Sequence, residues 1–277
     1  MKSRIRILIV GDVVGPIGRI MFQKHIGRLK REHHADAVIV NGENSSNTGR
    51  GITSKIAKFF RHNGADMITS GNHIWAAKEI YGYLDEHTDL LRPANFPSDC
   101  PGKGVGIFDV NGISVGVMNI QGQVFMQHFV DSPFKTAESI LTYLRSKTKI
   151  IVCDFHAEAT AEKVAMGFFL DGKVSAVVGT HTHIQTADER VLPEGTAYIT
   201  DLGMTGSLNS FIGMKKGPIM QKFLTQMPHK FEVDTSPPVV LSGVVVEIDT
   251  ATGKATHIER VRIIDEDIHI DKEDESD

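Results

Sequence analysis

Gly11-Asp12, Asn41-Gly42-Glu43-Asn44, Ser70-Gly71-Asn72-His73, Asp154-Phe155-His156 and Gly179-Thr180-His181-Thr182-His183 each stand at the end of a short apolar, β-branched run. Together they offer the carboxylates of Asp12 and Glu43, the carboxamides of Asn44 and Asn72, and the imidazoles of His156, His181 and His183. Mixed nitrogen and oxygen donors without thiolate suit manganese, iron or zinc, not a structural cysteine-rich zinc site. Seven donors exceed what one tetrahedral ion can use. Two ions sharing a bridging carboxylate would use them all. A lone Asn or His at a strand end is ordinarily a turn residue, but packing alone does not explain ligand-type residues recurring in the same structural phase in loop after loop.

The elements that position these residues alternate strand and helix, the mark of an α/β fold. Strands are expected at residues 4–10, 37–40, 67–69, 114–119, 150–154, 175–178 and 197–200. Several run apolar on both faces, as strands buried between layers do. Parallel strands align their C-terminal ends along one edge, where open α/β folds bind ligands. Thr53 is the expected cap of a helix through Ile56, Phe59 and Phe60 that stops at Gly64. Ser132 should cap a second, with Pro133 in its first turn and Ala137, Ile140, Leu141 and Leu144 at helical spacing. Residues 239–248 and 254–264 form a strand pair around a glycine-containing loop, and this hairpin extends the sheet. Residues 1–264 therefore read as a single domain. Residues 265–277 read as an acidic, largely disordered tail.

The composition, 41% hydrophobic and 23% charged, supports a sizeable core. A formal net charge of −4 provides no basic field for long nucleic acid or an anionic membrane. Lys2, Arg4 and Arg6 precede an apolar run that ends at once in Gly11-Asp12, too short for a secretion signal. No apolar stretch is long enough to span a bilayer. Cys100 and Cys153 suggest no disulfide framework, so a cytoplasmic, soluble protein is expected.

In this order, Gly11-Asp12, Gly42-Glu43-Asn44, Gly71-Asn72-His73, His156 and His181-Thr182-His183 resemble the motifs of the calcineurin-like metallophosphoesterases. Longer strings are closer to one bacterial branch, the YmdB-type phosphodiesterases: Gly11-Asp12-Val13-Val14-Gly15, Arg92-Pro93-Ala94-Asn95-Phe96-Pro97, Asp154-Phe155-His156-Ala157-Glu158-Ala159-Thr160 and Val178-Gly179-Thr180-His181-Thr182-His183. The resemblance runs from about Ile5 to Ile264. The broad superfamily has a His where this chain has Val14 and an Asp where it has Glu43. The branch shares both departures, and in it the Asn after the Glu is a replacement donor.

The resemblance implies a layered α/β/β/α sandwich and two divalent or mixed-valence ions, iron or manganese first and zinc as the alternative. It implies Glu43 as the bridge, Asp12, Asn44 and His183 around one ion, and Asn72, His156 and His181 around the other. Two such cations clamp a phosphate and lower the pKa of a shared water. His73, beside Asn72 but not assigned to a metal, is the candidate general acid for the departing oxygen. The implied substrates are small phosphodiesters, 2′,3′-cyclic nucleotides among them, and the implied assembly is a homo-oligomer. The alternatives are a phosphatase or nuclease using the same site, or a signalling or RNA-associated binding module whose metals are structural.

Weaker patterns have plainer explanations. Gly11, Gly15 and Gly18 lack the glycine spacing of a dinucleotide-binding loop, since Val13 stands in the required position. Ser132-Pro133-Phe134-Lys135 is better read as a helix start than as a serine–lysine catalytic pair. Cys153 lies inside an apolar strand and reads as structural. Glu158 and Glu162 read as a solvated helix face, and Asp201 as either a support for a ligand or a turn residue.

Overall fold

A computed structural model describes residues 2–270. In chain order it contains β1 (Arg4–Val10), β2 (Asp12–Val13), α1 (Gly15–Glu32), β3 (Ala37–Asn41), α2 (Ser54–His62), β4 (Met67–Thr69) and α3 (Ile80–Glu86). Next come β5 (Val105–Val110), β6 (Ile113–Gln121), α4 (Pro133–Arg145), β7 (Ile150–His156), α5 (Thr160–Leu170) and β8 (Ala176–Thr180). Beyond these lie β9 (Arg190–Val191), β10 (Ala197–Ile199), β11 (Met204–Ser207), α6 (Lys216–Thr225), β12 (Val239–Asp249) and β13 (Ala255–Asp265).

These strands form two sheets. The first runs β2-β11-β12-β1-β3-β4, with β13 paired to β12, and the second runs β5-β6-β7-β8-β10-β9. β1, β3 and β4 are mutually parallel, as are β6, β7, β8 and β10. The hairpin β12–β13 extends the first sheet, as its sequence suggests, with β12 antiparallel to β1 and Val10 opposite Gly243.

The two-residue period of the strands sorts their side chains into layers. Leu8, Val10, Val38 and Val40 meet Phe22 and Leu29 of α1 and Ile56 and Phe60 of α2. Ile5, Ile7, Ile9 and Ile39 point the other way, onto Val115, Val117, Ile150 and Val152 of the second sheet. Behind that sheet, Ile151, Cys153 and Phe155 pack on Leu141, Leu144, Met166 and Leu170 of α4 and α5. The order is helix, sheet, sheet, helix. Strands apolar on both faces follow directly, because neither face of a central strand meets water.

Thr53 Oγ1 accepts from the Ile56 amide and caps α2, and Gly64 beyond it is left-handed, with φ +96°. Ser132 occupies the corresponding place before α4, yet its hydroxyl makes no capping bond; the helix start rests on Pro133. The segment expected to open a disordered tail is packed further than its composition suggests. Asp265 ends β13 and binds Lys24 and His25 of α1, and Ile268 is buried in the core beside that helix. The remainder of that tail, 271–277, lies outside the described residues. Among the described residues, no helix is long and apolar enough to cross a membrane.

Candidate metal centre

The C-terminal ends of the parallel strands in both sheets meet at one place. The first sheet brings Asp12 after β1, Glu43 and Asn44 after β3, and Asn72 and His73 after β4. The second brings His156 as the last residue of β7, and His181 and His183 just after β8. Asp12, Glu43, Asn44, Asn72, His156 and His183 are buried, while the side chains of His181 and His73 remain 21% and 30% exposed.

These donors lie close together. Glu43 Oε1 is 3.1 Å from His156 Nε2, which lies 2.9 Å from Asn72 Oδ1 and 3.1 Å from His181 Nδ1. Among the described residues, the donor atoms of Glu43, His156 and His181 all fall within 4.8 Å of one another. A second group adjoins them: His183 Nε2 is 2.8 Å from Asn44 Nδ2 and 4.0 Å from Asp12 Oδ1. His73 flanks both groups, its Nδ1 3.0 Å from Asn44 Oδ1 and 3.4 Å from Glu43 Oε1.

The backbone is shaped for this convergence. His181 and His183 both adopt positive φ, +97° and +66°, a region that costs a non-glycine residue energy and is held only where the surroundings enforce it. At Gly71 a Cβ would collide with Glu43 Oε2 and the His156 ring, so only glycine lets the loop pass so close to the donors.

Behind the donors lies a hydrogen-bonded frame. Thr180 Oγ1 donates to Asp154 Oδ1 at 2.7 Å and lies 2.9 Å from His156 Nδ1, which directs Nε2 towards Glu43 and Asn72. Asn41 and Thr69 donate to the other oxygen of Asp154. Asp154 stands out in the sequence only as part of a string. Its burial beneath the site is a tertiary fact, and the polar Thr69, Thr180 and Asn41 within apolar strands were the available signal. Asp201 fills both roles open to it: its Oδ1 accepts from the Gly203 amide in a turn, and its Oδ2 supports the ligand loop. Its Oδ2 accepts from the amide and hydroxyl of Thr182 and from the buried Lys163, so it ties down the loop between the two histidines.

The solvated-face reading holds for the exposure of Glu158 but not for Glu162. Glu162 is buried in α5 and accepts from the amides of Gln123 and Val124, because α5 lies over the chain leaving β6. Glu158 precedes the helix, and its carboxylate stands 3.1 Å from His181 Nε2 at the rim of the site. Cys153 is buried in β7, as its sequence context suggests.

The electrostatics fit bound cations. Asp12 Oδ1 and Glu43 Oε1 are buried with no hydrogen-bond partner, an arrangement that is costly unless positive charge is supplied. Burial pushes the Asp12 carboxyl up to about 6, against the pull of His183 and His156. Burial pushes Glu43 the same way, but His156 and His73 outweigh it and hold that carboxyl well below its ordinary range. Burial lowers the imidazole of His156, and the surrounding Glu43, Asp12 and Asp154 overcome this and raise it to about 9. His181 is driven down to about 3 by burial and by His156 beside it. A proton on His156 thus sits among carboxylates where a cation would be better accommodated.

Comparison with known proteins agrees with this architecture. The chain is 47% identical over 261 residues to a 2′,3′-cyclic-nucleotide 2′-phosphodiesterase of Bacillus subtilis (strain 168), covering 94% of this chain and 98% of that protein. A crystal structure described as a novel phosphatase of Mycoplasma pneumoniae superposes with a TM-score of 0.90 at 34% identity, covering 96% of each chain. The crystal structure of a Thermus thermophilus protein described as hypothetical gives 0.86, also at 34% identity, over 94% of this chain and 100% of that one. The family model for YmdB-like proteins matches residues 8–261, and the chain belongs to that family.

Proposed function

We propose that this chain is a metal-dependent phosphodiesterase that hydrolyses small phosphodiesters, with 2′,3′-cyclic nucleotides as its substrates. The observation that carries this reading is the pair of buried, unpartnered carboxylate oxygens of Asp12 and Glu43 facing imidazoles at the joint edge of two sheets. Glu43 would be shared between two ions, with Asp12, Asn44 and His183 available to hold one and Asn72, His156 and His181 the other. Iron or manganese suits this nitrogen and oxygen set, with zinc as the alternative. When bound, the two ions supply the positive charge that clamps the phosphate and lowers the pKa of the attacking water.

The remaining work falls to side chains. His73 protonates the departing ribose oxygen. A half-turn of the Asn44 carboxamide, which exchanges its oxygen and nitrogen, aims the oxygen at the position beside His183. Its NH₂ group then faces His73 Nδ1, fixes that nitrogen as acceptor and leaves the ring proton on Nε2. Asp154, through Thr180, holds His156 with Nε2 turned inward. Asp201, through Thr182, holds the loop that carries His181 and His183. With a net charge of −4 the chain lacks the cation excess that long nucleic acid requires, which supports a small substrate. The free Cys100 and Cys153 support a reducing cytoplasm, and on family grounds the protein is a homo-oligomer.

The test is hydrolysis of 2′,3′-cyclic nucleotides, and of a chromogenic diester against its monoester, with manganese or iron and after chelation. Turnover of the monoester alone, or turnover unaffected by chelation, would overturn the proposal.

A further inference from the structure

The string Arg92-Pro93-Ala94-Asn95-Phe96-Pro97 supplies no donor to the metal centre, yet it encloses a charge. Arg92 is only 5% exposed, and among the described residues it forms no ion pair. Its Nε donates to the carbonyl of Pro101, and its Nη1 donates to those of Pro93 and Ala94. These bonds explain the fold of the loop but leave the charge uncompensated, and Nη2 makes no hydrogen bond among the described residues. Burial lowers the pKa of the guanidinium, and only the Cys100 thiol, not a carboxylate, pulls the other way. A cation enclosed without a counter-charge is costly.

Arg92 lines a cavity of about 1110 Å³ that lies between its own loop, β5 and the start of α4. Helix α4 is 13 residues long, and Ser132, Lys135 and Thr136 at its first turn form one wall. The Ser132 hydroxyl makes no capping bond, the first turn holds no acidic residue, and the amides of Phe134 and Lys135 have no partner among the described residues. Such an uncapped helix start carries partial positive charge and free N–H donors. Two more cations line the same cavity: Lys135 itself, and Lys103, whose carbonyl accepts from the Arg92 amide at 3.0 Å. Both lysines are exposed, and neither forms an ion pair among the described residues. Against these three cations the cavity wall sets one carboxylate, that of Asp131, in a chain whose net charge is −4.

We propose that this cavity is a second anion site, one that takes a phosphate group on Arg92, Lys103, Lys135 and the free amides at the start of α4. A guanidinium and a helix start are the two protein groups best matched to phosphate oxygens, and here they open into one space. A phosphate carrying up to two negative charges and several acceptor oxygens answers the excess of cations and of unpaired donors together. The cavity is larger than the anion, so it also has room for the organic part of a phosphate ester. No residue of its wall belongs to the proposed donor set, so the inference stands whether or not the metal centre is a phosphodiesterase.

The test follows the backbone amide resonances of Phe134 and Lys135 in the zinc-loaded full chain while inorganic phosphate is added, with chloride at matched ionic strength as control. Phosphate should shift both amides saturably and chloride should not. Lys103→Ala and Lys135→Ala should each weaken the fitted affinity by about 2- to 5-fold, as loss of an exposed charge does. Arg92→Gln should weaken it by at least about tenfold, the effect of losing a charged donor. Dependence on these three side chains separates the site from phosphate held by the metals. Shifts no larger than chloride produces, or an affinity unchanged in the two lysine variants, would overturn the proposal. The lysines are exposed, so the test holds even if Arg92→Gln fails to fold. Ribose 5-phosphate, titrated in the same way, identifies the form of the ligand. Tighter binding than free phosphate supports a site for an ester, and equal affinity supports one for the free anion.

Discussion

Thr180 Oγ1 lies 2.9 Å from Nδ1 of His156 and gives its own proton to the carboxylate of Asp154. The ring nitrogen that faces the centre is thereby chosen by a hydroxyl on the far side of the imidazole. Thr180→Val keeps the shape and removes that acceptor. Metal affinity should fall by roughly 10- to 100-fold, the usual cost of losing such a partner. Metal content after dialysis against graded chelator measures it, and retention equal to wild type would show that packing alone orients His156.

Glu43→Gln keeps the volume and hydrogen-bonding reach of the side chain but removes the negative charge between the two proposed positions. Both ions should weaken together. Elemental analysis of metal-replete wild type should give two ions per chain and the variant fewer than one. A fully active wild type with a single ion would sink the two-metal reading.

His73→Ala should leave metal content unchanged, because Asn72 is the proposed donor on that loop. Turnover of a ribose-based diester should fall by roughly 10²–10⁴, the usual contribution of a positioned acid. A p-nitrophenolate departs without protonation, so hydrolysis of its diester should be nearly normal. Equal loss for both leaving groups with metals retained would leave His73 as a group that positions the phosphate.

How much of this could be read in advance depended on whether the information was local. Each donor stands beside its strand in the chain, so Asp12, Glu43, Asn44, Asn72, His156, His181 and His183 could be picked out from types and spacing. The strand runs were legible because burial on both faces leaves long apolar stretches. The α1 helix was not, although it is 18 residues long: Val14 at its start carries no capping side chain, and Pro16 marks the first turn instead. Glu162 was misplaced because its partners, the amides of Gln123 and Val124, lie about forty residues away in the chain.

Asp265 ties the end of β13 to α1, and it should make stability depend on pH. Burial pushes its carboxyl up, but Lys24 and His25 outweigh this and hold it at about 2. A carboxyl depressed in the folded state stabilises above its unfolded pKa, ordinarily near 4. That stabilisation is lost as pH falls from about 4 towards 2. Asp265→Asn should therefore lower the melting temperature at pH 7 and lose its effect across that window. Differential scanning calorimetry of both proteins between pH 2 and 7 checks this, and a difference constant with pH would assign the effect to packing.

The two sheets contribute unlike chemistry to the edge where they meet. Asp12, Glu43, Asn44 and Asn72, all from the first sheet, offer oxygen, while His156, His181 and His183, all from the second, offer nitrogen. Neither layer alone presents a donor set selective for a transition metal; the oxygen half by itself is of the kind that hard ions such as magnesium or calcium accept. Discrimination among cations is consequently a property of the docked layers and arises only when they close on each other. In the proposed centre, ions held by both sets would also join the two sheets across the edge where they meet.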